Sequence, residues 1–207
     1  MELLKIGGSV ANELQSIVQE LKGLDRDILI VPGGWIFADL VRDVDEKYGL
    51  DESVSHWMAI ACMDVYGYYI SNFGVEVLFA EDLESLSNVG GVRVILPHCL
   101  LKHSKEFAEL PASWDVTSDS ISVWIASKLG LDRVIKITDV GGVLINGNLV
   151  ESLTASELLK LNIETCIDKF TPKLLKEYKV DMFVCNAKEV KDYILKGKAK
   201  GTLVKGE

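Results

Sequence analysis

Short apolar runs recur along this chain and alternate with helical patterns, and that alternation constrains the fold more than any other feature. The runs are Leu3–Ile6, Ile28–Val31, Val75–Phe79, Val92–Leu96, Val134–Ile137 and Met182–Cys185. Strands buried on both faces of a parallel sheet read this way, because neither side meets water. Between the runs, Leu14, Ile17, Val18 and Leu21 form one apolar stripe at helical spacing. Residues 53–72 read as a long helix, mostly buried, with Trp57, Met58, Ala61 and Val65 facing inward. Ile121, Trp124, Ile125 and Leu129 mark a helix over 118–129, Leu174, Leu175 and Tyr178 one near 171–179, and Val190, Tyr193 and Ile194 one near 187–196. Asn146-Gly147 between apolar runs signals a hairpin within 142–150. The expected class is α/β: a three-layer αβα sandwich around a mostly parallel central sheet, in one domain over residues 1–207.

Charge and composition exclude several functions. The formal net charge is -9, which disfavours binding to nucleic acid or to an anionic membrane surface. No apolar run reaches the roughly 18 residues of a membrane span. Met1-Glu2 opens no signal-peptide pattern. Cys62, Cys99, Cys166 and Cys185 lie far apart beside apolar neighbours. They read as reduced core thiols of a cytoplasmic protein, and no histidine has zinc-ligand spacing to them.

Two loops at strand ends carry paired glycines: Gly7-Gly8-Ser9, and Gly33-Gly34 after Pro32. Ligands of parallel α/β sheets bind beyond the carboxyl ends of strands. Glycine lets backbone approach a ligand closely, and a following helix offers free N–H groups to an anion. Lys5, just before the first pair, adds a positive charge. Glycine pairs also make plain tight turns, and neither loop is a Walker A loop or a dinucleotide fingerprint. A third stretch runs from Ser118-Asp119, which opens a helix, through the strand Val134–Ile137 to Thr138-Asp139. Taken alone, Asp119 reads as a helix cap.

In combination these stretches resemble the amino acid kinase family. The resemblance is carried by Lys5-x-Gly7-Gly8-Ser9, the second Gly-Gly, Ser118-Asp119, Thr138-Asp139-Val140-x-Gly142-Val143 and the closing Gly201-Thr202-Leu203-Val204. Members include acetylglutamate kinase, bacterial-type uridylate kinase and isopentenyl phosphate kinase. A narrower likeness, in residues 56–64, 113–120 and 166–178, is to the subgroup that phosphorylates an aminomethylfuran-methyl phosphate in methanofuran biosynthesis.

The resemblance implies ATP as co-substrate with Mg²⁺ on its phosphates, a small phosphorylated acceptor and a homo-oligomer. Lys5 matches the lysine that reaches the transferring phosphoryl group, and Asp119 the acid that orients it. Gly7, Gly8 and Ser9 match the loop around the ATP phosphates; Thr138 and Asp139 match the nucleotide-side motif. Gly33 and Gly34 match the acceptor-side loop. A phosphate acceptor is already ionised at neutral pH, so Asp119 reads as an organiser of Lys5 rather than a general base.

The acceptor pocket is read from His56, Asp64, Trp114 and Asp115. His56 is a core residue or a substrate contact. Asp64, on the same helix, meets a cationic substrate amine or an arginine such as Arg42. Trp114 and Asp115 supply an aromatic wall and a carboxylate, or a turn. The chain departs from the family at Gly141, where many members carry an acid. Where some members carry a second lysine, Cys166-Ile167-Asp168 resembles the uridylate kinase Met-Asp pattern. Lys169 and Lys173 are nearby but match that lysine poorly and read as a solvated helix face. Uridylate or isopentenyl phosphate as acceptor, and nucleotide binding without turnover, are the alternatives.

Overall fold

The computed structural model describes residues 1–87, 89–104, 109–161 and 163–207. The strands are β1 (Glu2–Ile6), β2 (Ile28–Pro32), β3 (Glu76–Leu78), β4 (Val92–Ile95), β5 (Arg133–Ile137), β6 (Leu144–Ile145), β7 (Asn148–Leu149), β8 (Ser152–Thr154), β9 (Asp181–Cys185) and β10 (Thr202–Lys205). The helices are α1 (Leu14–Lys22), α2 (Trp35–Tyr48), α3 (Glu52–Ser71), α4 (Pro97–His103), α5 (Ser118–Lys128), α6 (Ala155–Leu161), α7 (Thr171–Tyr178) and α8 (Val190–Lys196). Eight strands form one sheet in the order β3-β4-β2-β1-β5-β9-β10-β8. All neighbours pair in parallel except β9 and β10.

Each central strand buries both faces, and alternate residues enter separate cores. Leu3, Leu29, Val31, Val134 and Val184 pack on one side with Trp124 of α5 and Leu174 of α7. Leu4, Ile6, Ile28, Ile30 and Ile135 pack on the other with Ile17 of α1 and Val190 of α8. These are the three layers of an αβα sandwich. The hairpin β6–β7 turns at Asn146 (φ 51°) and Gly147 (φ 77°), the paired left-handed conformations that an Asn-Gly turn supplies. The Thr202 hydroxyl accepts from Val143 N at 2.8 Å and donates to Val150 O at 2.5 Å, which ties the hairpin's ends to β10 and accounts for the closing Gly-Thr.

One expectation for α3 is corrected. Met58 and Val65 are exposed and Trp57 and Ala61 only partly buried; the inward residues are Ser55, His56, Ile60, Met63, Tyr66, Gly67 and Ile70. Apolar residues surround this helix almost completely, so their spacing singles out no face. Close approach decides instead: a Cβ on Gly67 would stand 3.2 Å from Ile95 O and 3.1 Å from Leu96 Cδ2, so this side of α3 lies directly on β4.

Candidate active site

The three adjacent strands β2, β1 and β5 end together, and their carboxyl ends carry the residues singled out in the sequence. Backbone bonds knit the loops. Gly7 N donates to Ile137 O at 3.2 Å, Gly33 N to Ile6 O at 2.9 Å, and Thr138 N to Cys185 O at 2.9 Å. Tyr66 of α3, fully buried, donates its hydroxyl to Gly7 O at 3.2 Å. Gly8 must be glycine, because a Cβ there would lie 2.7 Å from Cα of Trp35 and 2.6 Å from its Cδ1. Trp35 itself has φ 50°, a left-handed backbone that costs a non-glycine residue about 1–2 kcal/mol. The two glycine loops are thus pressed against one another, and strain is held between them.

Lys5 lies beneath the first loop, 7% exposed, near the carboxyl end of β1. A Cβ on Gly7 would stand 3.4 Å from its Nζ. The ammonium is 2.9 Å from Asp119 Oδ1. Burial lowers the affinity of Lys5 for its proton; Asp119 partly offsets this, and a second ammonium opposes Asp119. That second ammonium is Lys136 of β5, 3% exposed and 2.5 Å from Asp119 Oδ2. Burial would raise the Asp119 carboxyl, but Lys136 and then Lys5 outweigh it and hold Asp119 far below the usual carboxylate range. Asp119 is therefore an anion between two cations. The cap of α5 is Thr117, whose hydroxyl accepts from Asp119 N at 3.4 Å.

Ser9, Thr138 and Asp139 meet at the outer end of the loop. Ser9 Oγ is 3.4 Å from Thr138 Oγ1 and accepts from Asp139 N at 3.3 Å, while Thr138 donates to Asp139 Oδ1 at 3.2 Å. Gly141, where many members of the family carry an acid, has φ 75°, a conformation that favours glycine.

A pocket of about 100 Å³ opens beside these loops, lined among others by Gly34, Arg42, His56, Met63, Trp114 and Ser118. The Nδ1 of His56 lies 3.2 Å from Ser113 O; a carbonyl only accepts, so Nδ1 carries the proton. Burial lowers the pKa of His56. Trp114 donates its indole N–H to Asp45 Oδ2 at 2.7 Å, and the Arg42 guanidinium sits 4.8 Å from its ring centre. Asp64 and Asp115 are not among the residues lining this pocket. Asp64 accepts from His98 N at 2.8 Å, at the start of α4. Its partner is thus a histidine and a helix start rather than Arg42, which is held on Trp114. Asp115 lines a larger cavity of about 460 Å³ with Trp114, Asp168 and Lys169. Lys169 and Lys173 are exposed, the first 4.0 Å from Asp115 and the second over the Phe170 ring.

Two residues outside the expected site set are central to this cluster, although the Met-Asp likeness draws notice to Asp168. One is Lys136; a lysine inside the apolar strand Val134–Ile137 was the available signal, since lysine is rarely buried without a partner. The other is Asp168, whose carboxylate takes hydrogen bonds from Thr117 and Ser120 of the α5 start and from Phe170 and Thr171 of the α7 start. Asp168 N in turn donates to Asp119 Oδ2 at 3.2 Å.

The sequence matches the amino acid kinase family over residues 1–186. The chain belongs to that family. It is a kinase, as its relatives are. One of them, the [5-(aminomethyl)furan-3-yl]methyl phosphate kinase of Methanocaldococcus jannaschii, is 34% identical over 199 residues, covering 91% of this chain and 88% of that protein. Among solved structures, the uridylate kinase of Archaeoglobus fulgidus superposes with a TM-score of 0.72 at 18% identity, over 99% of this chain and 100% of that one. The UMP kinase of Bacillus anthracis superposes with a TM-score of 0.73, also at 18% identity, over 99% of this chain and 95% of that one. At such identity these two structures speak for the kinase's fold alone. No described helix is long and apolar enough to cross a membrane.

Proposed function

We propose that this kinase transfers the γ-phosphoryl group of ATP to a small phosphate monoester, and that the acceptor is 5-(aminomethyl)furan-3-ylmethyl phosphate, giving its diphosphate for methanofuran biosynthesis. One observation carries the transfer chemistry: a buried lysine, oriented by a buried carboxylate, under two interlocked glycine loops at the ends of adjacent strands. The acceptor is carried over from the Methanocaldococcus jannaschii relative.

Phosphoryl transfer asks the protein to hold donor and acceptor in line and to neutralise the charge spreading over the transferred group. Lys5 supplies a charge at the transferring oxygens, and Asp119 fixes its direction. Backbone N–H groups of Gly8 and Ser9 face the β- and γ-phosphates beside Gly7, whose own N–H is held by Ile137 O, with Thr138 and Asp139 on the nucleotide side. Gly33 and Gly34 receive the acceptor phosphate. His56, Trp114 and Arg42 form the wall against which a flat heteroaromatic ring can lie. No general base is needed, because the acceptor oxygen is already ionised. Bound with ATP, Mg²⁺ would supply charge neutralisation at the phosphates. Asp139, exposed at the loop mouth, would be the carboxylate to face that ion.

The reading also includes a cytoplasmic location and a homo-oligomer. Ile36 and Leu40 of α2 and Val65 and Tyr68 of α3 are exposed apolar residues on two helices that pack together, a surface suited to a second copy of the chain.

The test is ATP- and Mg²⁺-dependent phosphorylation of four acceptors: the furan phosphate, its alcohol, UMP and isopentenyl phosphate. Diphosphate from the furan phosphate alone supports the reading. Preference for UMP or isopentenyl phosphate refutes the acceptor but keeps the transfer chemistry. ATP binding with no transfer to any of the four refutes the proposed transfer.

A further inference from the structure

The reading above uses one lysine, yet two are buried at the site. Lys136 Nζ donates to Asp119 Oδ2 and to the Cys166 carbonyl. Asp119 Oδ2 also receives Asp168 N. Oδ1, by contrast, faces Lys5 Nζ at 2.9 Å. Lys136 and the backbone hold one carboxylate oxygen, and Lys5 lies against the other. The groups facing Lys5 are Asp119 from α5, Lys136 from β5, and Asp168 and Cys166 from the segment before α7. Asp168 is already engaged by six donor contacts. The two ammonium groups and the Asp119 carboxylate all have side chains no more than 8% exposed. Asp168, whose six donors are all uncharged, keeps a negative charge facing Lys5, so two carboxylates balance the two ammonium groups, and Lys5 and Lys136 share Asp119 directly.

A buried ammonium that shares its carboxylate with another is costly, and the cost is relieved by losing a proton or gaining an anion. We propose that Lys136 is a positioning residue of the phosphoryl-transfer site: it takes up half of Asp119, and so leaves Lys5 an ammonium whose ion pair is completed by the arriving phosphate. Lys136 touches no substrate in this scheme. Fixed on a central strand and on the Cys166 carbonyl, it sets the charge balance and the orientation of Asp119. The inference rests on the reading of Lys5 as the phosphoryl-binding lysine.

Lys136→Met leaves a balanced Lys5–Asp119 pair, so the variant is expected to fold; a thermal melt checks this. Lys136→Arg keeps the charge. In the transfer assay, Lys136→Met should lose roughly 10–100-fold in kcat, the range for residues that orient a primary group. Its KM for ATP should change far less. The alkaline limb of its pH profile, where Lys5 loses its proton, should move to higher pH, because a neighbouring like charge has gone. Lys136→Arg should recover most of the rate. An unmoved limb, or equal losses in both variants, assigns Lys136 to packing and overturns the proposal.

A second readout needs no acceptor. Binding of Mg²⁺–AMP-PNP is followed by calorimetry on the alkaline limb, where Lys5 is partly deprotonated, in two buffers of different ionisation enthalpy. The wild type should take up more protons than Lys136→Met. If Lys5→Met abolishes the uptake and Lys136→Met leaves it at the wild-type value, the proposal fails and the reading of Lys5 stands. If Lys5→Met changes neither affinity nor uptake, the reading of Lys5 fails and takes the proposal with it.

Discussion

Asp168→Ala should destabilise the protein sharply, although Asp168 is only partly buried. Its Oδ2 accepts from Thr117 N and Ser120 N, each at 3.0 Å, and from the Thr117 hydroxyl at 2.8 Å. Its Oδ1 accepts from Thr171 N and the Ser120 hydroxyl, each at 2.7 Å, and from Phe170 N at 3.2 Å. One carboxylate thus accepts the free N–H groups at the starts of both α5, beside its Thr117 cap, and α7, and acts as a cap-like acceptor for each. Loss of a helix N-cap costs about 0.5–2 kcal/mol, so two lost caps cost about 1–4. Hydrogen bonds to an ionised group add to this, since each is worth about 1.5–3 kcal/mol. Water from the cavity of about 460 Å³ that Asp168 lines recovers part of the loss. About 3 kcal/mol remains, a large share of the roughly 5–15 kcal/mol that holds a domain folded. For a chain of this length that is a fall in Tm of about 6–12 °C. Asp168→Asn keeps one acceptor oxygen and should lose less than half as much. Paired urea and thermal unfolding read both variants. A change under about 2 °C for Asp168→Ala, when about 1 kcal/mol already moves Tm by 2–4 °C, would refute the capping argument.

Lys5→Ala should lower kcat by at least about 100-fold, the cost of deleting one electrostatic contact to a transition state, while ATP still binds by calorimetry; retained turnover would sink the assignment. Gly8→Ala should impair activity and stability together, because the new Cβ meets the backbone of Trp35 as well as its ring, and the backbone cannot swing away; a melt and an assay decide. His56 carries the third expectation. Burial lowers its folded pKa, so the unfolded chain binds more protons between that pKa and its ordinary value near 6.5. Stability should therefore fall as pH drops below about 6.5, and His56→Gln should flatten the slope in urea titrations.

The sheet was legible because its central strands are buried on both sides and so read as unbroken apolar runs. Helix α2 was not read, and the reason lies in its exposure. Only Val41 is buried there, while Ile36 and Leu40 are 55% and 62% exposed, so its apolar residues mark no inward stripe. Helix α3 was seen but rotated, since a helix apolar nearly all round carries no phase. The loops with Lys5, Gly7, Gly33 and Thr138 were legible because they fall just past strand ends, where parallel sheets place ligands. The acceptor side was harder. His56 and Trp114 do line one pocket, but Asp64 turned to the start of α4 and Asp115 to another cavity. A carboxylate's partner is a matter of tertiary packing, and spacing along one helix does not reveal it.

The same limit explains why the balance of charge at the site lay hidden. Lys5, Asp119, Lys136 and Asp168 are separated by many residues and lie on three different elements and a loop. Each has an ordinary local reading: a strand-end lysine, a helix cap, a strand lysine, a turn acid. Packed together, they form a chain of dependence. Asp168 holds the starts of α5 and α7 and donates its N–H to Asp119, Lys136 fixes the same carboxylate from the strand side, and Lys5 receives what remains. The order of that chain predicts an order of effects. Substitution of Asp168 should first move stability, that of Lys136 the pH profile, and that of Lys5 the rate of transfer itself. Three assays on three variants of one buried cluster would then separate support, tuning and chemistry.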